Sequence, residues 1–410
     1  MKNKMKLLLF GAAIMLVGGF SACSDDDLGE SIFDTKVYPL DKSSYSFPLD
    51  SFCKAEFLKP YNMQFKYRME DVGSDMNKNL VPATYDNSVK LAVLCKYLWF
   101  DVYQKLGGDE FLKLYSPRII HLIGSPAYNP TSGTETLGTA EGGVKITLYK
   151  VNVLDERDID LMNEYFFHVM HHEFAHILDQ THLRPIGSFD ILSNGHYDPL
   201  DWQNKHDSLT ASWGFVTPYA SEAAREDWVE TMSTYITSDE TTWNRLLNSA
   251  YYDWEEIDIL EDDLNKDYYK KIKPGCDMDS IGYLNPQKNG EYKIVRKVIK
   301  RNADGSAAVD ENKKIIFEDQ SQGGMDGING KQLILDKLDL VRTWLRDYFN
   351  VDLDALRYEV QHRQYASDSE GNFIKDSYGR YVNLLVQDRG DGTTLMDELL
   401  EQVNRFKALQ

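Results

Sequence analysis

Positive charge is scarce in this chain: 45 Lys and Arg stand against 65 Asp and Glu, and the formal net charge is −20. A surface of that sign repels phosphates, which excludes a nucleic-acid partner. Cysteine is scarce too. The four are Cys23, Cys53, Cys95 and Cys276, and no two form a C-x-x-C pair, so neither a zinc ribbon nor a thioredoxin-type motif is supported. An oxidising compartment would allow one disulfide among Cys53, Cys95 and Cys276, although Cys95 ends an apolar run over residues 91–95 and reads as a small core residue. Beyond residue 22 no stretch approaches the roughly 18 apolar residues that a membrane-spanning helix needs, and no internal repeat is evident. Core material is plentiful: 42% hydrophobic and 12% aromatic residues exclude global disorder and can fill one large domain or two.

Lys2, Lys4 and Lys6 precede an apolar run over residues 7–20, a charged n-region followed by an h-region, so residues 1–22 read as a removable secretory segment. Its loss would take the net charge from −20 to about −23. The sequence Phe20-Ser21-Ala22-Cys23 resembles a bacterial lipoprotein box with Cys23 as the lipidated residue. Ser24-Asp25-Asp26-Asp27 resembles the acidic signal that sends some lipoproteins to the outer face of the outer membrane. The expectation is an outer-membrane lipoprotein exposed at the cell surface, anchored through Cys23, with residues 23–42 as a tether.

Hydrophobic periodicity along the rest predicts an α+β fold with a mixed sheet. Residues 61–69 alternate as a strand, 88–106 have helical spacing, 118–123 form a short apolar strand and 143–153 alternate again. Residues 125–142, rich in Gly, Pro, Ser and Thr, read as loop. A long amphipathic helix is expected over 155–180, irregular chain over 183–218 and a second helix over 221–236. The stretch 241–269 reads as helix with Trp243, Leu246, Leu247, Tyr251 and Trp254 as its core stripe. Two hairpins, 292–317 and 372–386, flank a helix over 331–349, and a last helix covers 393–407. Pro274-Gly275 suggests a core over residues 43–270 and a helical C-terminal part with the hairpins over 271–410.

Five of the nine histidines fall between His168 and His182, and among them stands His172-Glu173-Phe174-Ala175-His176. This is H-E-x-x-H on a predicted helix. Four residues advance a helix by about 400°, so both imidazoles leave one face and can reach a single Zn²⁺, with Glu173 beside the open coordination position. A carboxylate placed there can take a proton from a metal-bound water as it attacks a carbonyl. His168 and His171 read as neighbours that pack or hydrogen-bond near the site.

Two candidates exist for the third ligand. His182 follows His176 at the spacing of the metzincin signature, in which the helix must end before the last histidine; Asp179 stands where metzincins have Gly, and no Met-turn is evident. The other is acidic: Glu226-Asp227-Trp228-Val229-Glu230 sets two carboxylates four residues apart on one helix face.

The segments His172–Asp179 and Glu226–Glu230 together resemble lethal-factor-like gluzincins. That resemblance implies Glu226 as ligand, Glu230 orienting a ligand histidine, and Tyr219, seven residues before Glu226, stabilising the oxyanion. The chain is also similar to exported lipoprotein zinc metallohydrolases found beside TonB-dependent importers. That similarity rests on the lipid box, the HEFAH helix, residues 214–235 and residues 331–364. The expected protein is thus a zincin-like metallopeptidase with one Zn²⁺, a peptide or protein substrate and an importer complex as partner, and 143–153 would be the edge strand above its cleft. A metalloamidase on the same scaffold, or a surface binding lipoprotein without turnover, is the alternative.

Overall fold

Short apolar strands pair in parallel at the heart of the protein because both of their faces are covered. The computed structural model describes residues 40–69, 79–128, 135–136, 138–141, 144–258 and 282–410, and groups Lys42–Gln410 into one compact unit. Cys23, the tether and Cys276 lie outside the described residues, as does the stretch around Pro274-Gly275. Strands β1 (Gln64–Lys66) and β2 (Ile119–Leu122) run parallel, and a two-stranded ribbon, β3 (Ala127–Tyr128) with β4 (Glu135–Thr136), follows. Then come β5 (Gly138–Glu141) and β6 (Lys145–Leu148). The main sheet has the order β1-β2-β6-β5, with β6 parallel to β2 and antiparallel to β5. It is a mixed sheet, and Ile120, Leu122, Ile146 and Leu148 within it are fully buried.

The expected edge strand over 143–153 is corrected by this order. Its core, Lys145–Leu148, is interior, and chain beyond it turns into a tight helical turn at Val151–Val153. Among the described residues the edge beside β6 is β5, inside the stretch that composition marks as loop. An edge strand pairs on one side only and needs little apolar alternation, so Gly and Thr suffice. Gly138 has a specific reason: a Cβ there would lie 2.1 Å from Val169 Cγ1, so only glycine lets β5 press onto the histidine-bearing helix.

Helix α1 (Tyr85–Cys95) starts at Thr84, whose side chain accepts from Asn87 N, and runs on through a π turn into Asp101–Gly107. Asp158 caps the next rod by accepting from Leu161 N. A π turn at Asn163–Phe167 adds a residue to that rod before α2 (His168–Thr181), a local rewinding often found at functional sites. Helix α3 (Ala224–Thr237) packs along α2 and buries Trp228, Val229, Met232 and Ile236. Fully burying such side chains is worth about 1.5–3 kcal/mol each, so this contact fixes how the two helices face each other.

Helix α4 (Glu240–Ser249) is shorter than periodicity suggests. Trp254 belongs to β7 (Trp254–Asp258), which pairs with β9 (Tyr292–Lys297), itself paired with β8 (Tyr283–Pro286); residues 259–269 lie outside the described residues. Helices α5 (Gly330–Phe349), α6 (Leu353–Gln364) and α7 (Leu395–Asn404) complete the unit. Trp344 of α5 meets Trp228 of α3 edge-on at 5.2 Å. No helix among the described residues is long and apolar enough to cross a membrane.

The two expected hairpins are each a pair of tight turns, and the two pairs repeat one backbone design. Bridges Ile299↔Phe317, Arg301↔Ala307 and Val309↔Ile315 recur 66 residues later as Tyr365↔Asn383, Ser367↔Phe373 and Lys375↔Tyr381. In the first module Lys300 N donates to Ile316 O, Ala308 N to Lys300 O and Ile316 N to Ala308 O, closing a triangle. Ala366, Ile374 and Val382 close the same triangle in the second. The expectation of no internal repeat is therefore corrected: the backbone is repeated while few of the side chains are.

Candidate metal centre

His172 and His176 lie one turn apart on α2, both buried, with ring centroids 4.9 Å apart. Helix α3 lies against them and presents Glu226 in its first turn and Glu230 one turn further on. Glu226 Oε2 is 3.3 Å from His172 Nε2 and 3.1 Å from His176 Nε2. Zinc bonds of about 2.0–2.2 Å to nitrogen and oxygen place neighbouring donors of a tetrahedral site about 3.3 Å apart, so this spacing fits such an ion. The donor set, two imidazoles and one carboxylate, leaves a fourth position for water or substrate. The chain can therefore hold a metal with His172, His176 and Glu226.

Glu230 holds the other side of His172. Its Oε1 accepts from His172 Nδ1 at 2.6 Å and stands 2.9 Å from His168 Nε2, while Oε2 accepts from Thr217 Oγ1 at 2.6 Å. With Nδ1–H committed to a carboxylate, Nε2 is the nitrogen of His172 turned toward Glu226 and the metal position. His168, His172 and Glu230 also form a compact donor group, but it shares His172 with the first.

Charges in the centre stabilise one another. Burial would raise Glu226, yet hydrogen bonds to His172 and His176 hold its carboxyl well below the carboxylate range. Glu230 is likewise held low, against its burial, by the charge and hydrogen bond of His168 and those of His172. Burial would lower His172, but hydrogen bonds to Glu226 and Glu230 push it up to about 10 in the metal-free chain. Glu173 is buried and close enough for its charge to add to that rise. Tyr219 stacks on His172 at 5.8 Å and meets Trp202 at a tilt, with ring centroids 4.8 Å apart. Burial and the charges of Glu226, Glu222 and Glu230 raise its hydroxyl, which stays protonated as a donor.

His182 is not brought to this cluster. Helix α2 continues helically through Asp179 to Thr181, and His182, its extended C-cap, stacks on Tyr348 at 4.9 Å and meets Phe349 edge-on. Asp179 makes no left-handed break; it accepts from Arg184 N at 2.8 Å and Arg184 Nη1 at 3.2 Å. His171 faces away, bonded to Tyr103 Oη at 2.9 Å, and burial lowers it to about 3.

Motif and ligand spacing point to neither Thr217 nor Lys337. Lys337 is wholly buried, and its Nζ lies 2.6 Å from Asp227 Oδ2 and donates to Gly214 O at 2.6 Å. It ties α5 to the residue next to Glu226 and to the loop that delivers Thr217. A lysine among Leu, Ile and Trp on the apolar stripe of a helix is the signal that could have found it.

The family described as "Putative zinc-binding metallo-peptidase" matches residues 43–354. A crystal structure from Bacteroides caccae with the same description is similar at 33% identity and a TM-score of 0.53, covering 78% of this chain and 94% of that one. No curated protein matches the chain. With the geometry above and a match over most of its length, the chain belongs to this family of zinc-binding metallopeptidases.

Proposed function

We propose that the protein hydrolyses peptide bonds with one Zn²⁺ held by His172, His176 and Glu226 on a zincin-like fold. The observation that carries this reading is the approach of Glu226 Oε2 to both imidazole Nε2 atoms, at 3.3 and 3.1 Å. Bound there, the ion supplies Lewis acidity and lowers the pKa of a water. Glu173 takes the proton from the attacking water and passes it to the leaving amine. Tyr219 donates to the developing oxyanion, a contact worth about 3–4 kcal/mol in comparable sites. Glu230 and Thr217 keep His172 aimed. The outer edge of β5 offers backbone N–H and C=O groups along which an extended peptide can lie as one more strand.

We place this activity on a lipoprotein at the outer-membrane surface, anchored through Cys23 and working with a TonB-dependent importer. Support comes from the charged and apolar residues 1–22, the box at Phe20–Cys23 and the acidic run behind it. Replacing Cys23→Ala should abolish fatty-acid labelling and membrane fractionation; labelling that persists would remove the anchor.

The decisive test of the chemistry is Glu173→Gln. It should keep one zinc per chain and lose at least about a hundredfold in turnover of a peptide library. Undiminished hydrolysis would remove Glu173 as the base, and a purified chain without stoichiometric metal would remove the whole reading.

A further inference from the structure

Beside the metal centre opens a groove of about 1260 Å³. His168 and Thr217 stand in its wall, the same two residues that share Glu230 with His172, so the groove adjoins the proposed catalytic residues. It extends between the start of the histidine-bearing rod, the junction of α3 with α4, and the second double-turn module.

Its charge is unbalanced. Arg157 is held by Asp155 at 2.8 Å and Arg380 by Asp376 at 2.8 Å, so both guanidinium charges are already matched. Asp158 and Asp239 each accept a helix N-terminal N–H at 2.9 Å, which satisfies a lone pair and leaves the charge in place. Asp160 and Glu164 make no hydrogen bond or ion pair among the described residues. Among the described residues that line the groove, these four carboxylates thus face Arg245, which makes no close ion pair and whose charge acts on Asp160.

A second feature is independent of that charge. Tyr365 is only 4% exposed and lines the groove, yet its hydroxyl bonds no described residue. The hydroxyl oxygen itself opens to the groove rather than to a protein partner, so a group that enters can take the place of water on it. The groups crowd one spot. Burial and then the charges of Asp160 and Asp239 raise the Tyr365 hydroxyl, and burial with Asp158 and Asp239 raises the Asp160 carboxyl.

We propose that this groove receives a basic side chain of the substrate, Lys or Arg, with its cationic head among Asp160, Asp239 and the Tyr365 hydroxyl. This rests on the peptidase reading and names its substrate class: peptides with a basic residue at one fixed position from the cleaved bond. The apolar stem of such a side chain can lie along Tyr381 and Val382 in the groove wall.

The test measures binding apart from turnover. The full chain carrying Glu173→Gln is titrated with short labelled peptides that differ only in one Lys, Ala or Glu, read by fluorescence anisotropy. The Lys peptide should bind tightest, its advantage shrinking at high salt and falling about fivefold with Asp160→Asn. Tyr365→Phe, which keeps the ring packing, should reduce it as well. Equal binding of the Lys and Glu peptides, or an advantage unmoved by both variants, would overturn the proposal. In digests by the unaltered protein, Lys or Arg should be enriched at one position, and enrichment of acidic residues there would equally overturn it. Binding that depends on Asp160 with no peptide cleaved would uphold the groove and remove the peptidase reading. Cleavage with no basic preference would do the reverse.

Discussion

Glu230 Oε1 lies 2.6 Å from His172 Nδ1, so a carboxylate on α3 dictates which nitrogen of an α2 histidine faces the metal position. The same oxygen meets His168, and the second oxygen takes Thr217. Glu230→Gln keeps the shape but can place an amide N–H against His172 Nδ1–H. Zinc affinity should fall roughly 10–100-fold, as for loss of other groups that orient metal ligands. Chelator competition on the purified variant measures it, and an unchanged affinity would show that the contact does not orient the ligand.

Glu226 and His182 make opposite predictions. Glu226→Ala removes the carboxylate that approaches both Nε2 atoms and should yield a protein with substoichiometric zinc and no hydrolysis. His182→Ala removes a ring stacked on Tyr348 and should keep zinc at one per chain, with some loss of stability where α2 meets α5. Elemental analysis of both variants decides, and the reverse pattern would restore the metzincin-like arrangement.

In the metal-free chain His172 is pushed up to about 10 by its two carboxylates, so near neutral pH it carries a proton that a metal must displace. The sign follows: binding needs the neutral imidazole, so affinity should rise with pH and level off only near that value. The slope should be about tenfold per pH unit over the range where His172 is protonated. Calorimetry of zinc binding in buffers of different ionisation enthalpy should show about one proton released. Binding without proton release would mean that His172 is already neutral in the metal-free protein.

Much of this site is legible in the sequence because it is local. His172, Glu173 and His176 follow from helical spacing, and Glu226 and Glu230 share a face by the same rule. What bridges the two helices is not local. Thr217 reaches Glu230 from an irregular stretch, and the link between α5 and α3 spans more than a hundred residues. The edge strand β5 hid for a different reason: Gly138 is there for close approach to Val169, which composition reports only as a turn former. The paired modules hid because their likeness lies in backbone hydrogen bonds. Between them Gly305 matches Gly371 and Asp310 matches Asp376, while Lys313, at φ 63, does the work of Gly379, at φ 78.

The buried pair Lys337–Asp227 gives the last prediction. Both side chains are wholly buried, and Tyr197 Oη also donates to Asp227 Oδ2 at 2.9 Å. Burial pushes Asp227 up and Lys337 down, toward their neutral forms, and their contact at 2.6 Å opposes both shifts. Lys337→Met would leave Asp227 without its cation and Gly214 O without a donor, which should cost about 3–5 kcal/mol of stability. Adding Asp227→Asn should restore part of that loss, because the uncompensated charge is then gone. The Lys337 variant should also bind zinc more weakly, since Gly214, at φ 88, starts the loop that brings Thr217 to Glu230. Denaturant midpoints and zinc competition measure the two effects separately. A variant as stable as the parent would show that the pair is replaceable by packing alone, and lowered stability with unchanged zinc affinity would confine Lys337 to the core.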